Sequence, residues 1–135
     1  MRDILADGAE AVIAAVRKKA TEIGALSNIA VVDSGANLKA FLRMDDALLG
    51  SLDVSIRKAR TAALFGLATE TLGELAQPGA PLYGIDSTNG GLILFGGGAP
   101  IVNAEGAVIG GVGVSGSTVE NDTMLSAVGA AAANG

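Results

Sequence analysis

The sequence predicts an α+β domain in which one antiparallel sheet carries helices packed on it. Three observations point there. Apolar residues recur at three- and four-residue steps near both ends of the chain, which is helical spacing. Short β-rich runs lie between them and are joined by turn-forming residues, as in hairpins. Charges interrupt every apolar segment, so none reaches the length of a membrane span.

Taken in order, residues 3–24 form the first helix. Leu5, Ala9, Val12, Val16, Ala20 and Ile23 make its inward stripe, and Ile13 widens it. Arg17, Lys18 and Lys19 fall in the last turns, where cations suit the helix dipole, and Gly24 can close the helix. Residues 28–33 form a strand, and Asp33-Ser34-Gly35-Ala36-Asn37 is turn chemistry. Leu38 to Met44 returns as a second strand. Leu38, Ala40, Leu42 and Met44 share one face, and Lys39, Phe41 and Arg43 the other.

Ser51 is placed to cap a helix that runs to about Phe65, with Leu52, Ile56, Ala59 and Ala63 as its stripe. Thr69 can cap a shorter helix ending near Ala76. Residues 77–91 contain Pro78, Pro81 and four glycines, so they form a long loop of the lid or binding type. The loop holds the single tyrosine, Tyr83, whose plainer reading is that it pins the loop to the body. Leu92–Phe95 reads as a brief strand, Gly96–Pro100 as a turn, and Ile101-Val102 as extended chain. Asn103–Gly106 turns into a strand from Ala107 to Val114. Ser117 and Glu120 match a capping box that opens a last helix to about Ala133, with Leu125, Val128 and Ala132 inward.

Composition narrows the function. A length of 135 residues is one domain, and 50% hydrophobic with 17% charged residues is enough for a packed core. A small chain of this apolar content buries a limited share of its surface alone, so a homo-oligomer is expected. There is no Cys and no His, which excludes disulfides, thiolate nucleophiles, structural zinc of the usual kind, His-based triads and His haem ligation. The net charge is −5 and aromatics make up 3%, which suits neither nucleic acid nor base stacking. The short basic clusters Arg17-Lys18-Lys19 and Arg57-Lys58-Arg60 read as solvated helix faces. Residues 1–12 lack the apolar core of a signal peptide, so the expected location is cytoplasmic, with no membrane partner.

Gly111, Gly113 and Gly116 spell the G-x-G-x-x-G of a dinucleotide fold. That motif needs a following βαβ crossover and an acid some twenty positions on, and the sequence ends one helix later. Glu120 and Asp122 also stand where a pyrophosphate wants neutral donors. The glycines are therefore read as packing and turning devices.

Several segments together are similar to the GlcG/HbpS-like family. They are Gly97-Gly98-Ala99-Pro100-Ile101, then Gly106 through Gly116, then Glu120-Asn121-Asp122. Upstream, Val32-Asp33-Ser34-Gly35, Arg43-Met44-Asp45 and Lys58-Ala59-Arg60-Thr61-Ala62 match the family's other motifs, so the resemblance spans nearly the whole chain. It implies an α/β sandwich with an antiparallel sheet of about five strands, assembled into larger homo-oligomers, the octamer included. Its members include haem-binding and haem-degrading proteins, a domain fused to cobalamin adenosyltransferases, and proteins encoded beside glycolate or diol catabolism. Haem is therefore the implied cofactor. Without His or Cys the remaining axial donors are Tyr83, Met44, Met124 and weaker Lys or Thr atoms, and Arg43 or Lys58 can pair with propionates.

A second class comes from polar residues at the motif positions. Arg43, Asp45, Lys58 and Asp122, if brought together, can bind a small organic acid, with Lys58 and Asp122 as acid and base. That suits a cofactor-independent isomerase, lyase or hydrolase acting on a carboxylate or lactone. The same residue types suit a structural Lys58–Asp122 ion pair equally well. Tyr83, Gly97, Gly98 and Ser115 complete the candidate ligand-binding set, Ser115 as a hydrogen-bonding hydroxyl because it has no His to activate it. The carboxylate spacing supports no metal site.

Overall fold

The computed structural model describes residues 2–133. Helix α1 spans Ala6–Ile23, strands β1 and β2 span Asn28–Asp33 and Leu38–Arg43, and helices α2 and α3 span Gly50–Phe65 and Thr69–Leu75. Strands β3 (Gly98–Val102) and β4 (Val108–Ser115) and helix α4 (Val119–Ala132) complete the order. The sheet is antiparallel, in the order β2-β1-β4-β3.

Among the described residues the sheet has four strands rather than about five. Leu92–Phe95 is the segment that fails to join. Its backbone groups are satisfied elsewhere: Leu92 N donates to Asp86 O, and Ile93 N donates to the Thr61 hydroxyl of α2 at 3.1 Å. The carbonyl of Leu94 lies against Gly73 of α3, where a Cβ would stand 1.8 Å away. A segment bound to two helices has no free edge to offer a strand.

Helices cover both faces of the sheet. On one, Ile29, Val31, Val112 and Val114 meet Val12, Val16 and Ala20 of α1 and Leu125 of α4 in the main core. On the other, Ala30 and Val32 meet Ala59 and Ala63 of α2. The second contact is unusually close. A Cβ on Gly113 would lie 2.0 Å from Ser55 O and 2.6 Å from Ala59 N, and one on Gly111 would lie 2.4 Å from Ala59 O. The helix backbone therefore rests on the strand backbone, with glycine on one side and alanine on the other.

The helix starts differ from expectation. Helix α2 begins at Gly50 behind Leu49 with no side-chain cap, so Ser51 is not its cap. Thr69 is the first residue of α3; its hydroxyl is buried and accepts from Gly98 N at 2.9 Å, tying α3 to β3 instead. In α4 the cap is Thr118, which accepts from Asn121 N, while Ser117 accepts from the Asn121 side chain. The capping box is thus displaced by one residue and does not use Glu120. Leu5 and Ile23 sit outside the α1 stripe, 63% and 37% exposed, and Ile4 enters the core instead, its N–H held by Ile109 O. In α4 the buried side is Leu125, Ser126 and Gly129, with Val128 and Ala132 half-buried. The 33–37 turn is as expected, Asp33 Oδ1 accepting from Gly35 N and Asn37 N at 2.9 Å each.

The close approach of α2 to β4 sets a test. Gly113→Ala is expected to cost at least about 3 kcal/mol in denaturant unfolding, because backbone atoms on both sides cannot yield. Gly50→Ala, which meets nothing within 4 Å, is expected to be neutral or slightly stabilising. Equal stability of the two variants would contradict this packing.

Candidate functional site

Lys58 is the largest fully buried side chain, at 0% exposure. It rises from α2 beside Gly113 and Gly97 and passes the end of β4. Its ammonium donates to Val114 O at 2.9 Å and to Asp122 Oδ2 at 3.4 Å, and lies 4.9 Å from the centre of the Phe95 ring. Gly97, at φ +127°, makes this possible: a Cβ there would stand 2.4 Å from Lys58 Nζ and 2.6 Å from Val114 O. Gly98 likewise admits the Lys58 carbonyl and Thr69, where a Cβ would meet them at 2.5 and 2.6 Å. The two glycines shape the space around the lysine.

Asp122 sits in the first turn of α4, 3% exposed. Its Oδ1 accepts from Ser117 N at 3.2 Å. Helices α2 and α4 cover opposite faces of the sheet, so the pair joins the two layers around the end of β4. Burial pushes the Lys58 amine below its ordinary value, against the pull of Asp122. Burial also pushes the Asp122 carboxyl up, opposed by Lys58 and by the Ser117 and Gly116 N–H groups. Each partner is thereby moved toward its neutral form.

The remaining expected residues divide. Ser115 is buried at the end of β4, directly opposite Asn28 of β1, and Asn28 is opposite Arg43 of β2. The three lie in one row across the sheet, but Arg43 makes no contact with Lys58 or Asp122. Arg43 and Asp45 instead line a cavity of about 200 Å³ and a second of about 470 Å³. Tyr83 is 68% exposed on the long loop. Neither Tyr83 nor the Lys58–Asp122 pair lines any of these cavities or the groove described next.

That groove, of about 790 Å³, runs between α1 and β2. Ile13, Ala40 and Leu42 form its floor, with the Phe41 ring turned to the opposite face of the sheet; Arg17, Lys18 and Lys39 supply cations. Glu10 and Glu22 also border it. Sequence reasoning assigned Arg17 and Lys18 to a solvated helix face and so missed this place. The available signal was that the basic last turns of α1 precede a hairpin whose second strand alternates apolar and charged residues. Only the chain's return brings Lys39 and Leu42 alongside.

Comparison with known proteins agrees with the motifs. The model of the family described as haem degrading protein HbpS-like matches residues 4–131. The chain is 46% identical over 112 residues to an uncharacterized 15.0 kDa protein of the dhaT-dhaS intergenic region of Citrobacter freundii, covering 82% of this chain and 78% of that one. The crystal structure of Klebsiella pneumoniae protein ORFY superimposes with a TM-score of 0.94 at 41% identity, over 98% of this chain and 92% of that one. The crystal structure of a PduOC:heme complex gives a TM-score of 0.89 at 33% identity, over 96% and 94%.

The geometry of the buried pair predicts an asymmetric mutational response. Lys58→Ala is expected to cost about 3–5 kcal/mol, because it leaves a buried carboxylate unpaired, whereas Lys58→Met/Asp122→Leu is expected to recover most of that loss. The sign with pH follows from the two shifts. The raised Asp122 contribution is fully present below its ordinary value near 3.8 and is lost as pH rises through its folded value. The lowered Lys58 contribution is present above its ordinary 10.5 and is lost as pH falls through its folded value. Relative to the double variant, the wild type should therefore gain stability in denaturant melts as pH falls through the Asp122 folded value toward 3.8, and again as pH rises through the Lys58 folded value toward 10.5. A stability difference independent of pH at both ends would contradict the two shifts.

Proposed function

The chain belongs to the HbpS-like family, and from that membership we propose that it is a homo-oligomeric small-ligand-binding protein whose ligand is a tetrapyrrole of the haem class. The observation that carries this is the groove between α1 and β2. Its volume of about 790 Å³ lies in the range of small-molecule sites, and its apolar floor is bordered by three cations. A flat apolar ring with acidic side arms matches that combination. The similarity to a PduOC:heme complex supports the same ligand class.

The donor set limits how haem is held. The groove offers the Glu10 and Glu22 carboxylates, the Lys18 and Lys39 amines and the Thr21 hydroxyl, and the chain has no His or Cys. Ring and side arms fit; a strong axial bond does not. Ile13 and Leu42 would contact the ring by dispersion and water exclusion, and Arg17, Lys18 and Lys39 would neutralise its carboxylates. When bound, haem supplies an iron centre whose properties are set by its axial ligands and surroundings. Exposed Leu48, Leu49, Tyr83 and Phe95 support assembly with further copies of the chain.

Titration with hemin tests this reading. A saturable shift of the Soret band is expected. Reversing charge at Arg17→Glu and Lys39→Glu together should weaken binding by about tenfold or more. Tyr83→Phe and Met44→Leu should leave the spectrum unchanged. Absence of any shift removes the haem reading.

A second reading, an acid–base enzyme acting on a small organic acid or lactone, is favoured by one observation: Lys58 and Asp122 are in contact and each is displaced toward its neutral form. It requires the Gly96–Gly98 turn to lift from Lys58. A pH-stat screen of lactones provides the check. Turnover should vanish in both Lys58→Ala and Asp122→Asn while assembly persists, and undiminished turnover in both would eliminate this assignment.

A further inference from the structure

We propose that Lys58 is a covalent carbonyl-binding site: its amine condenses with a small, uncharged aldehyde or ketone that enters where the Phe95 ring now lies, and Asp122 carries the protons. The site rests on the acid–base reading only in using the same pair. It makes the amine a nucleophile and needs neither a lactone nor an organic acid.

Access is the first argument. Lys58 is shut off from solvent, yet on one side its cover is a single side chain. The Phe95 ring lies 4.9 Å from the ammonium while the residue is 47% exposed, so the ring stands between the amine and water. The backbone on either side of the ring is pinned. Ile93 N donates to the Thr61 hydroxyl at 3.1 Å, Val114 N donates to Gly97 O at 2.7 Å, and Gly98 N donates to the Thr69 hydroxyl at 2.9 Å. Rotation of the Phe95 side chain therefore uncovers the amine with the fold unchanged, and exposed side chains change rotamer quickly. Gly97 and Gly113 flank the lysine and bring no bulk of their own. The place vacated by the ring limits the ligand to about the size of that ring.

Proton balance is the second argument. A lysine attacks a carbonyl only with a free lone pair, and desolvation is how interior lysines obtain one. Here the ammonium proton has an acceptor in Asp122 Oδ2 at 3.4 Å, and both groups are displaced toward their neutral forms. With that proton on Asp122, the amine attacks the carbonyl carbon and a C–N bond forms. The carbonyl π pair moves to oxygen, which takes the proton from Asp122, and the nitrogen returns one proton to Asp122. Asp122 then protonates the hydroxyl, the C–O bond breaks as water leaves, and the nitrogen lone pair closes the C=N bond. The product is an iminium beside the Asp122 carboxylate, so the ion pair survives the condensation. Among the described residues Lys58 is the only cation in contact with Asp122. An oxo acid would therefore bring its carboxylate beside Asp122 without a second counter-charge, which selects uncharged carbonyl compounds.

The experiment traps the iminium. The folded protein is treated at about pH 7 with butanal and cyanoborohydride, which reduces the C=N bond, and peptide mass spectrometry follows the rate at Lys18, Lys19, Lys39 and Lys58. Lys58 should be labelled at least about tenfold faster than the other three, and faster still in Phe95→Ala, whose half-exposed site spares the fold. Asp122→Asn should slow Lys58 labelling about tenfold or more. A purely structural pair gives the opposite sign, since removing the carboxylate charge frees the lysine, and a rise in Asp122→Asn overturns the proton role. Pyruvate in place of butanal should label Lys58 at least about tenfold more slowly; equal rates overturn the uncharged class. Lys58 lagging the other lysines in both the wild type and Phe95→Ala overturns the site. Labelling without lactone turnover keeps the site and removes the acid–base reading, and lactone turnover with Lys58 unlabelled does the reverse.

Discussion

A lysine ammonium held in the interior constrains more of this molecule than any other group. Lys58 leaves α2 on one face of the sheet and ends against Asp122 of α4 on the other. To reach it, α2 must lie with its backbone on β4, which requires glycine at 111 and 113 and small residues at 59 and 63. The chain entering β3 must also pass directly over the ammonium, which requires Gly97. A buried ion pair rarely adds net stability over an apolar substitute. Here the pair ties the two helix layers together, with Val114 O and the Ser117 N–H as its further partners.

The signature glycines acquire a physical meaning from that constraint. As sequence they imitate a nucleotide-binding loop, and as structure they are the absent side chains that let two backbones and one lysine share a small volume. Gly97 and Gly98 lie against Lys58, Val114 O and Thr69. Gly116, at φ +138°, turns the chain beside Leu26 O before α4 begins.

Much of the fold was legible because periodicity is local. The α1 stripe, the β1–β2 hairpin and the Asp33 turn depend on residues a few positions apart, and each lies near its expected bounds. The cap positions were less legible, since Ser51, Thr69 and Ser117 all compete with neighbours and Thr69 has a distant partner in Gly98. Leu92–Phe95 looked like a strand because it is short and apolar, but whether it finds a sheet edge or two helices is decided by tertiary contacts. The site was legible in part for the same reason. Lys58 and Asp122, sixty-four residues apart, were named as partners from their motif positions. The groove was not, since it needs the basic end of α1 to lie beside the edge strand β2.

The molecule thus separates two tasks. A sealed polar pair near Gly97 joins the layers, and the open groove between α1 and β2 is the proposed place for a ligand. The central claim is that the ligand enters the groove. Amide chemical-shift mapping with iron-free protoporphyrin IX tests it most directly, because the probe is diamagnetic and no axial bond is needed. The account predicts perturbations concentrated at Ile13, Arg17, Lys39 and Leu42, with Lys58 and Asp122 unmoved. Perturbations centred on residues 77–98, with the groove silent, would contradict it.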